Sequence, residues 1–223
     1  MNGNTFDWDY HVPLLLEKAG ETLYMVSLTL LIGGTLGLLL GLGLYTTRGK
    51  GLLANRGVFA LLNLLVNVVR PIPFIILLIA VGPLTLSLVG RTIGTTAMVV
   101  PLSIASTFGF SRIVEQNLVG IDPGVIEAAR ATGASRWRIV ATVLVPEALG
   151  PLVLGYTFLF VALIDMSAVA GIVAGGGLGD FALQWGYRRW NYEVIWITVG
   201  VIVVIVQIAQ AVGNKISRAV LRH

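Results

Sequence analysis

The side chains that could carry out chemistry are few in this chain, because only 12% of its 223 residues are charged. Cysteine is absent, which excludes disulfide and thiolate chemistry, and the two histidines, His11 and His223, stand at opposite ends. No GxxxxGKS/T phosphate loop occurs. The nearest string, Arg48-Gly-Lys-Gly-Leu52, lacks both a hydroxyl residue after the lysine and the leading glycine. We therefore expect no metal, no cofactor and no nucleotide hydrolysis on this chain itself.

One polar segment, about residues 121–147, interrupts the apolar runs in the second half of the chain. Asp122 is a favourable N-cap and Pro123 suits the first position of a helix, so a helix is predicted to begin here. Gly133 is placed to end that helix in a left-handed conformation, and Ser135 can cap a second helix. The pattern predicts two short helices joined by a tight turn.

The surface of this segment is small and edged with charge, and Pro146 near its end can open the next helix. The residues that form this surface are Glu127, Ala128, Ala129, Arg130, Ala131, Arg136 and Arg138. A short, smooth-sided helical pair of this kind suits insertion into a groove on a partner protein. The alternative is an ordinary basic loop that happens to be helical.

Five apolar windows must position these residues, and each is long enough to cross a bilayer, which takes about 20 mostly apolar residues. The windows cover residues 22–47, 58–90, 92–111, 148–179 and 194–214. Arg70 alone interrupts the second window with a charge, and Asp165 alone interrupts the fourth. The composition predicts an all-α, polytopic membrane protein with five transmembrane helices, folded as one domain over residues 1–223.

The basic residues indicate how the chain is oriented, since cytoplasmic loops carry an excess of Lys and Arg. With the N-terminus outside and the C-terminus in the cytoplasm, the cytoplasmic segments hold most of them: Arg48, Lys50, Arg56, Arg112, Arg130, Arg136, Arg138, Lys215, Arg218 and Arg222. The outer segments hold Lys18, Arg91, Arg188 and Arg189. The net charge of +4 therefore reflects topology, and no nucleic-acid partner is expected.

A stripe of glycines runs along the first window at Gly33, Gly37 and Gly41, one at every fourth position. Small residues let helix backbones approach closely in lipid. The stripe predicts close helix packing, either within this chain or against a second copy of it.

The polar segment resembles the EAA signature of the inner-membrane subunits of ABC importers, which reads Glu-Ala-Ala, three residues, Gly, nine residues, Ile, one residue, Leu-Pro. The matching positions are Glu127, Ala128, Ala129, Gly133, Val143, Val145 and Pro146. The Ile and Leu places are both valine here, which is a conservative change. The stretches RPIPFIILL (70–78), LVPEAL (144–149), GGGLG (175–179) and RAVLRH (218–223) extend the resemblance to the permeases of bacterial methionine importers over nearly the whole chain.

The resemblance implies a type I ABC importer permease in the bacterial cytoplasmic (inner) membrane, surrounded by lipid, that imports methionine or a closely related amino acid. In that family the permease is a homodimer on two ATPase subunits, which hold ATP and Mg, and a lipid-anchored binding protein delivers the substrate from outside. The polar segment would be the ATPase-coupling segment, formed by Glu127, Ala128, Ala129, Arg130, Thr132, Gly133, Ala134, Trp137 and Pro146. The absence of a phosphate loop from this chain agrees with a separate ATPase.

The substrate pathway is expected near Asp165, because polar groups at membrane depth usually face the bundle interior or a cavity. A carboxylate beside Met166 and Val169 would suit the ammonium and the thioether of methionine. The alternative is an ion pair between Asp165 and Arg70 that stabilises the bundle. The candidate pathway residues are Asp165, Met166, Ser167, Val169, Asn67 and Arg70.

Two further features leave alternatives open. Asn63, Asn67 and Arg70 share one face of the second window, where they line the path or form a hydrogen-bonded seam between helices. The glycine-rich stretch contributes a docking surface for the binding protein or a tight re-entrant turn that depends on glycine φ freedom. Its candidate docking residues are Gly175, Gly176, Gly177 and Gly179.

The identity of the substrate also has alternatives. The methionine permeases carry a stretch closer to Gly-Tyr-Ser-Ala-Met where this chain has Asp165-Met-Ser-Ala-Val169, so a related amino acid or a methionine derivative remains an alternative. A quaternary-amine importer would require an aromatic cage, for which the fourth window offers few aromatics near Asp165. A proton-coupled carrier would use Asp165 as a relay but would leave the EAA segment without a purpose.

Overall fold

The structure is a computed structural model, which describes residues 6–49 and 51–220. Over these residues the chain is helical and contains no strand, which confirms the all-α prediction. Lys50 and Arg222, which were assigned to the cytoplasmic side, and His223 lie outside the described residues.

Ten α-helices follow one another in the part of the chain that the structure describes. They are α1 (Trp8–Thr47), α2 (Arg56–Val69), α3 (Phe74–Ala80), α4 (Gly82–Val89), α5 (Thr95–Val119), α6 (Pro123–Ala131), α7 (Arg136–Ile139), α8 (Val145–Ile172), α9 (Gly177–Phe181) and α10 (Tyr192–Val220). A π-helical turn, Val140–Leu144, joins α7 to α8, and π and 3₁₀ turns over Ala182–Gly186 and Tyr187–Arg189 follow α9.

Four helical runs are each long and apolar enough to cross a membrane: α1, α5, the run Arg136–Ile172, and α10. A fifth span exists if α2 and α3 are counted together, but these two helices meet at 105°. Counted as one span, the pair gives the five spans that were predicted, but the second window is not one continuous helix. The chain bends between Arg70 and Pro73 because Pro71 and Pro73 have no N–H to donate and restrict the residues that precede them.

The glycine stripe of α1 packs against α5 within this chain, and the two helices run in parallel. A Cβ atom at Gly37 would lie 3.0 Å from the Thr107 carbonyl oxygen, and one at Gly41 would lie 2.6 Å from the Ser111 carbonyl oxygen. The glycines therefore allow the two backbones to touch. The prediction of close packing is confirmed, and the structure assigns it to the interior of one chain.

The two ends of the bundle gather different segments. At one end the N-terminal part of α1 meets the loop before α5 and the residues around α9: the Gly94 N–H donates to the Ala174 carbonyl (3.0 Å), and Phe6 packs near Phe181. At the other end the loop after α1 lies beside Arg130 and Arg136. The segments predicted to lie outside thus share one end and those predicted to lie in the cytoplasm share the other, while the orientation of the bundle in the membrane stays a prediction.

Candidate functional site

The first helix of the polar segment, α6, is set by its caps. The Asp122 carboxylate accepts a hydrogen bond from the Gly124 N–H at 2.8 Å, and Pro123 occupies the first turn. The Thr132 N–H donates to the Ala128 carbonyl, and Gly133 then adopts a φ of +79°. Both predicted ends of this helix are confirmed, since the left-handed conformation costs glycine nothing.

The second helix, α7, begins where Ser135 was predicted to cap it, with the Arg138 N–H donating to the Ser135 hydroxyl at 3.4 Å. Pro146 lies in the first turn of α8, as predicted, but no break separates that helix from the turn before it. The chain stays helical from Arg136 to Ile172, and the Val145 N–H bonds to the Val140 carbonyl five residues back. This π turn widens the helix just before a proline whose ring would otherwise clash with a carbonyl of the preceding turn.

The continuity of α7 with α8 joins the polar segment to a membrane-spanning helix without a flexible loop. Ile139 is 1% exposed, and Ile126 and Val140 pack against the main core of the bundle. One side of the segment is thus anchored to the bundle. A displacement of α7 would be passed along the helix axis into α8.

The other side of the segment is open. Its Trp137 is 71% exposed. Of the predicted coupling residues, Ala129 and Ala134 are half-buried, and the exposed ones are Glu127, Ala128, Arg130, Thr132, Gly133, Trp137 and Pro146. The ion pairs found among the described residues, Lys18 with Glu21 and Arg112 with Glu115, leave the charges of this segment without an ionic partner in the chain.

Asp165 and Arg70 do not meet. Both side chains are exposed, and no ion pair joins them in the described chain, so the predicted pairing is wrong for a single copy. Arg70 lies at the bend between α2 and α3 and lines a groove that also contains Met166. Asp165 precedes Met166 by one residue and therefore faces about 100° away around α8.

The groove between the α2–α3 bend, α5 and α8 has a volume of about 500 Å³. Its walls are mainly apolar, with Ile113 on α5 and Phe158 on α8, and Arg70 is its charged lining residue. Four of the six predicted pathway residues do not line it: Asp165, Ser167, Val169 and Asn67. Ser167 is buried and donates to the Ile164 carbonyl of its own helix at 2.7 Å, and Val169 is half-buried elsewhere on α8.

Asn63 and Asn67 belong to a seam between α2 and α5. The Arg112 guanidinium donates to the Asn63 side-chain oxygen at 2.5 Å, to the Asn67 side-chain oxygen at 2.7 Å and to the Glu115 carboxylate at 2.5 Å. The hydrogen-bonded seam was one of the two predicted alternatives. Sequence reasoning counted Arg112 only as a topological charge. The signal that it missed is Glu115, three residues later on the same helix face.

The glycine-rich stretch forms a tight turn against α1. Gly176 and Gly177 have φ values of +81° and +77°, and a Cβ atom at Gly177 would lie 2.6 Å from the Thr22 hydroxyl. The Gly177 N–H donates to the Glu21 carboxylate at 2.7 Å, and the Leu178 N–H donates to Thr22 at 2.8 Å. This geometry favours the turn interpretation. Gly175 and Gly177 are buried, so a partner that docks here would touch mainly their neighbours.

Comparisons with known proteins agree on one family. Residues 33–223 match the family described as binding-protein-dependent transport system inner membrane component. The chain is 41% identical over 207 residues to the probable D-methionine transport system permease protein MetI of Vibrio cholerae, with 93% of this chain and 92% of the relative covered. It is 43% identical over 210 residues to the protein of the same name from Pasteurella multocida, covering 92% and 96% of the two chains.

A solved structure supports the same assignment. A chain of the MetNI methionine ABC transporter, in inward-facing conformations, superimposes on this chain with a TM-score of 0.92 at 39% identity. The match covers 94% of this chain and 97% of that chain. The fold is therefore the type I ABC importer permease fold.

Proposed function

The chain belongs to the family of binding-protein-dependent transport system inner membrane components, and from this premise we propose that it carries methionine across the bacterial inner membrane. Members of this family are permease subunits rather than enzymes, and the ATPase is a separate partner. The substrate is proposed from the relatives, which are named for D-methionine transport and are 41% and 43% identical over almost the whole chain.

The observation that carries the mechanism is the rigid connection between α7 and α8. The coupling segment is open on the side of Glu127 and Trp137, anchored on the side of Ile139, and continuous with a helix that crosses the membrane. A cleft on an ATPase subunit can receive the open side. Movement of that cleft as ATP is bound and hydrolysed would tilt the helical run Arg136–Ile172 and so alternate access to the pathway.

The partners follow from the same proposal. Two copies of this chain would form the permease, each contacting one of two ATPase subunits that hold ATP and Mg. An extracytoplasmic binding lipoprotein would deliver the substrate at the opposite end of the bundle, next to the turn at Gly175–Gly179. That turn is braced by Glu21 and Thr22 and gives the docking end a fixed shape.

Uptake by reconstituted transporter tests the function. The permease is co-purified with the ATPase subunit of its own organism, placed in proteoliposomes and supplied with the cognate binding protein and radiolabelled methionine. We expect uptake only with ATP on the side of the coupling segment. Uptake driven by a proton gradient without ATP, or uptake of a quaternary amine in place of methionine, would contradict the proposal.

The coupling role has its own test with a matched pair of variants. Glu127→Gln removes an exposed carboxylate from the open side of α6, and Glu17→Gln removes an exposed carboxylate from the opposite end of the chain. We expect Glu127→Gln to lower ATPase co-purification and uptake, because it removes a charge that a cleft would pair. Glu17→Gln should leave both at the unaltered level, and equal behaviour of the two variants would argue against this surface.

A further inference from the structure

Arg70 occupies an unusual place for a charged residue. It lies in the break between α2 and α3 and lines the groove beside Ser106, near the middle of the spanning helix α5. Non-helical backbone at this depth is tolerated only where protein buries it or where it lines a cavity. Discontinuous helices near the middle of the bilayer are also where transporters form substrate sites. The break between α2 and α3 is therefore a candidate place for a substrate site.

The guanidinium of Arg70 has no carboxylate partner within the described chain, where the ion pairs are Lys18 with Glu21 and Arg112 with Glu115. A charge at membrane depth is costly unless it is paired or hydrated. The two charges of the α2–α5 seam show the contrast, since Arg112 is satisfied by Glu115 and by the oxygens of Asn63 and Asn67. Arg70 is free to receive an anion from outside the chain.

The remaining surface of the groove indicates what kind of anion fits. Its volume of about 500 Å³ lies in the range of sites for small molecules, and its walls include Ile113, Phe158 and Met166. Thioethers pack well on aromatic and other soft apolar side chains. The planar fork of arginine matches a carboxylate with two parallel hydrogen bonds. A ligand with a carboxylate next to an apolar side chain would pair with Arg70 and pack against the apolar walls of the groove.

We propose that the groove between the α2–α3 bend, α5 and α8 is a binding site for the amino acid in transit, with Arg70 receiving its carboxylate. The apolar side chain of the substrate then lies against Phe158 and Met166. This inference rests on the proposed function and adds to it a specific site. Because Phe158 and Met166 are on α8, the helix that continues from the coupling segment also forms one wall of the site.

Photo-labelling tests the site directly. Photo-methionine is a diazirine analogue that keeps the carboxylate and amine of methionine, and it is applied to the assembled permease–ATPase complex. Mass spectrometry then locates the label. We expect label on peptides that contain residues 105–113 and 158–166, protection by excess methionine, and at least tenfold weaker protection by methioninol, in which a hydroxymethyl group replaces the carboxylate.

Variants separate the role of Arg70 from a general effect of charge. We expect Arg70→Gln to reduce the labelling about tenfold or more, and Arg70→Lys to reduce it less, because lysine keeps the charge but loses the fork. Arg91→Gln is the matched control, since the Arg91 guanidinium bonds to Thr96 away from the groove. The methioninol competition needs no variant and remains decisive if Arg70→Gln fails to assemble.

The outcomes distinguish this inference from the function on which it rests. Unchanged labelling of Arg70→Gln, or equal protection by methioninol and methionine, would overturn the site. Methionine uptake by an unaltered transporter whose groove takes no label would also overturn the site while leaving the function intact. Failure of the unaltered transporter to take up methionine would overturn the function itself.

Discussion

Gly133 lies between α6 and α7 of the proposed coupling segment, where its backbone conformation sets the angle between the two helices. Its φ is +79°, and a Cβ atom at this position would meet no atom within 4 Å, so conformation rather than space requires glycine here. A side chain in the left-handed region costs about 1–2 kcal/mol. That cost would be avoided by changing the angle between α6 and α7, the two helices that form the open surface.

Gly133→Ala should therefore uncouple the transporter while the permease still inserts. A cost of about 1–2 kcal/mol lowers the population of the native turn by a factor of roughly 5–30, and ATP-driven uptake should fall accordingly. Gly120→Ala is the control, because Gly120 ends α5 with a φ of −73° and its Cβ would make only an ordinary contact, 3.5 Å from the Asn117 carbonyl. Equal uptake by the two variants would show that the turn at Gly133 has no part in coupling.

At the scale of elements, the contact between α1 and α5 forms the centre of the bundle. A glycine-to-alanine substitution, which adds one methyl group, tests how closely the two helices pack. Gly41→Ala would place a Cβ atom 2.5 Å from the Val114 Cβ and 2.6 Å from the Ser111 carbonyl, so the helices must separate. We expect a loss of about 1–3 kcal/mol in the free energy of unfolding. Gly20→Ala, on the same helix with no atom within 4 Å, should be neutral or stabilising.

Thermal unfolding of the detergent-purified protein measures both variants. For a chain of this size each kcal/mol corresponds to about 2–4 °C in the melting temperature. A melting temperature of Gly41→Ala equal to that of Gly20→Ala would mean that α1 and α5 do not pack as closely as described.

The elements that sequence reasoning predicted well are those set by local chemistry. The caps at Asp122 and Ser135 and the turn at Gly133 depend on residues within one helical turn, so their positions could be predicted directly. The continuity of the helix past Pro146 could not, because it depends on a π turn that packing onto the bundle stabilises.

The residues that line the candidate pathway were predicted less well, because their positions depend on contacts between distant parts of the chain. The bend after α2 was missed although Pro71 and Pro73 were visible, because a long apolar window favours one continuous helix. At this bend Arg70 lines a groove with Met166 and makes no ion pair with Asp165, an arrangement that composition alone does not predict. Arg112 was missed as a partner of Asn63 because the two residues are 49 positions apart in the sequence.

At the scale of the whole molecule, one helical run connects the proposed coupling segment at one end of the bundle with the proposed substrate groove near its middle. The helical run Arg136–Ile172 contains the second coupling helix at its start and the groove wall, Phe158 and Met166, farther along. A helix of 37 residues is about 55 Å long, so a small tilt at one end moves the wall appreciably. This arrangement requires the coupling segment to lie in the cytoplasm.

The sidedness of the chain can be measured cleanly because it contains no cysteine. Single cysteines are introduced at exposed positions of both ends: Thr92→Cys and Tyr187→Cys at the end of the glycine-rich turn, and Ala54→Cys and Ala131→Cys at the end of the coupling segment. With the N-terminus outside, a membrane-impermeant maleimide should label Thr92→Cys and Tyr187→Cys in intact spheroplasts. Ala54→Cys and Ala131→Cys should react only after the membrane is permeabilised, and the cysteine-free chain should take no label. The reverse pattern would place the coupling segment outside the cell, where no ATPase could reach it, and both the coupling mechanism and the proposed direction of transport would be wrong.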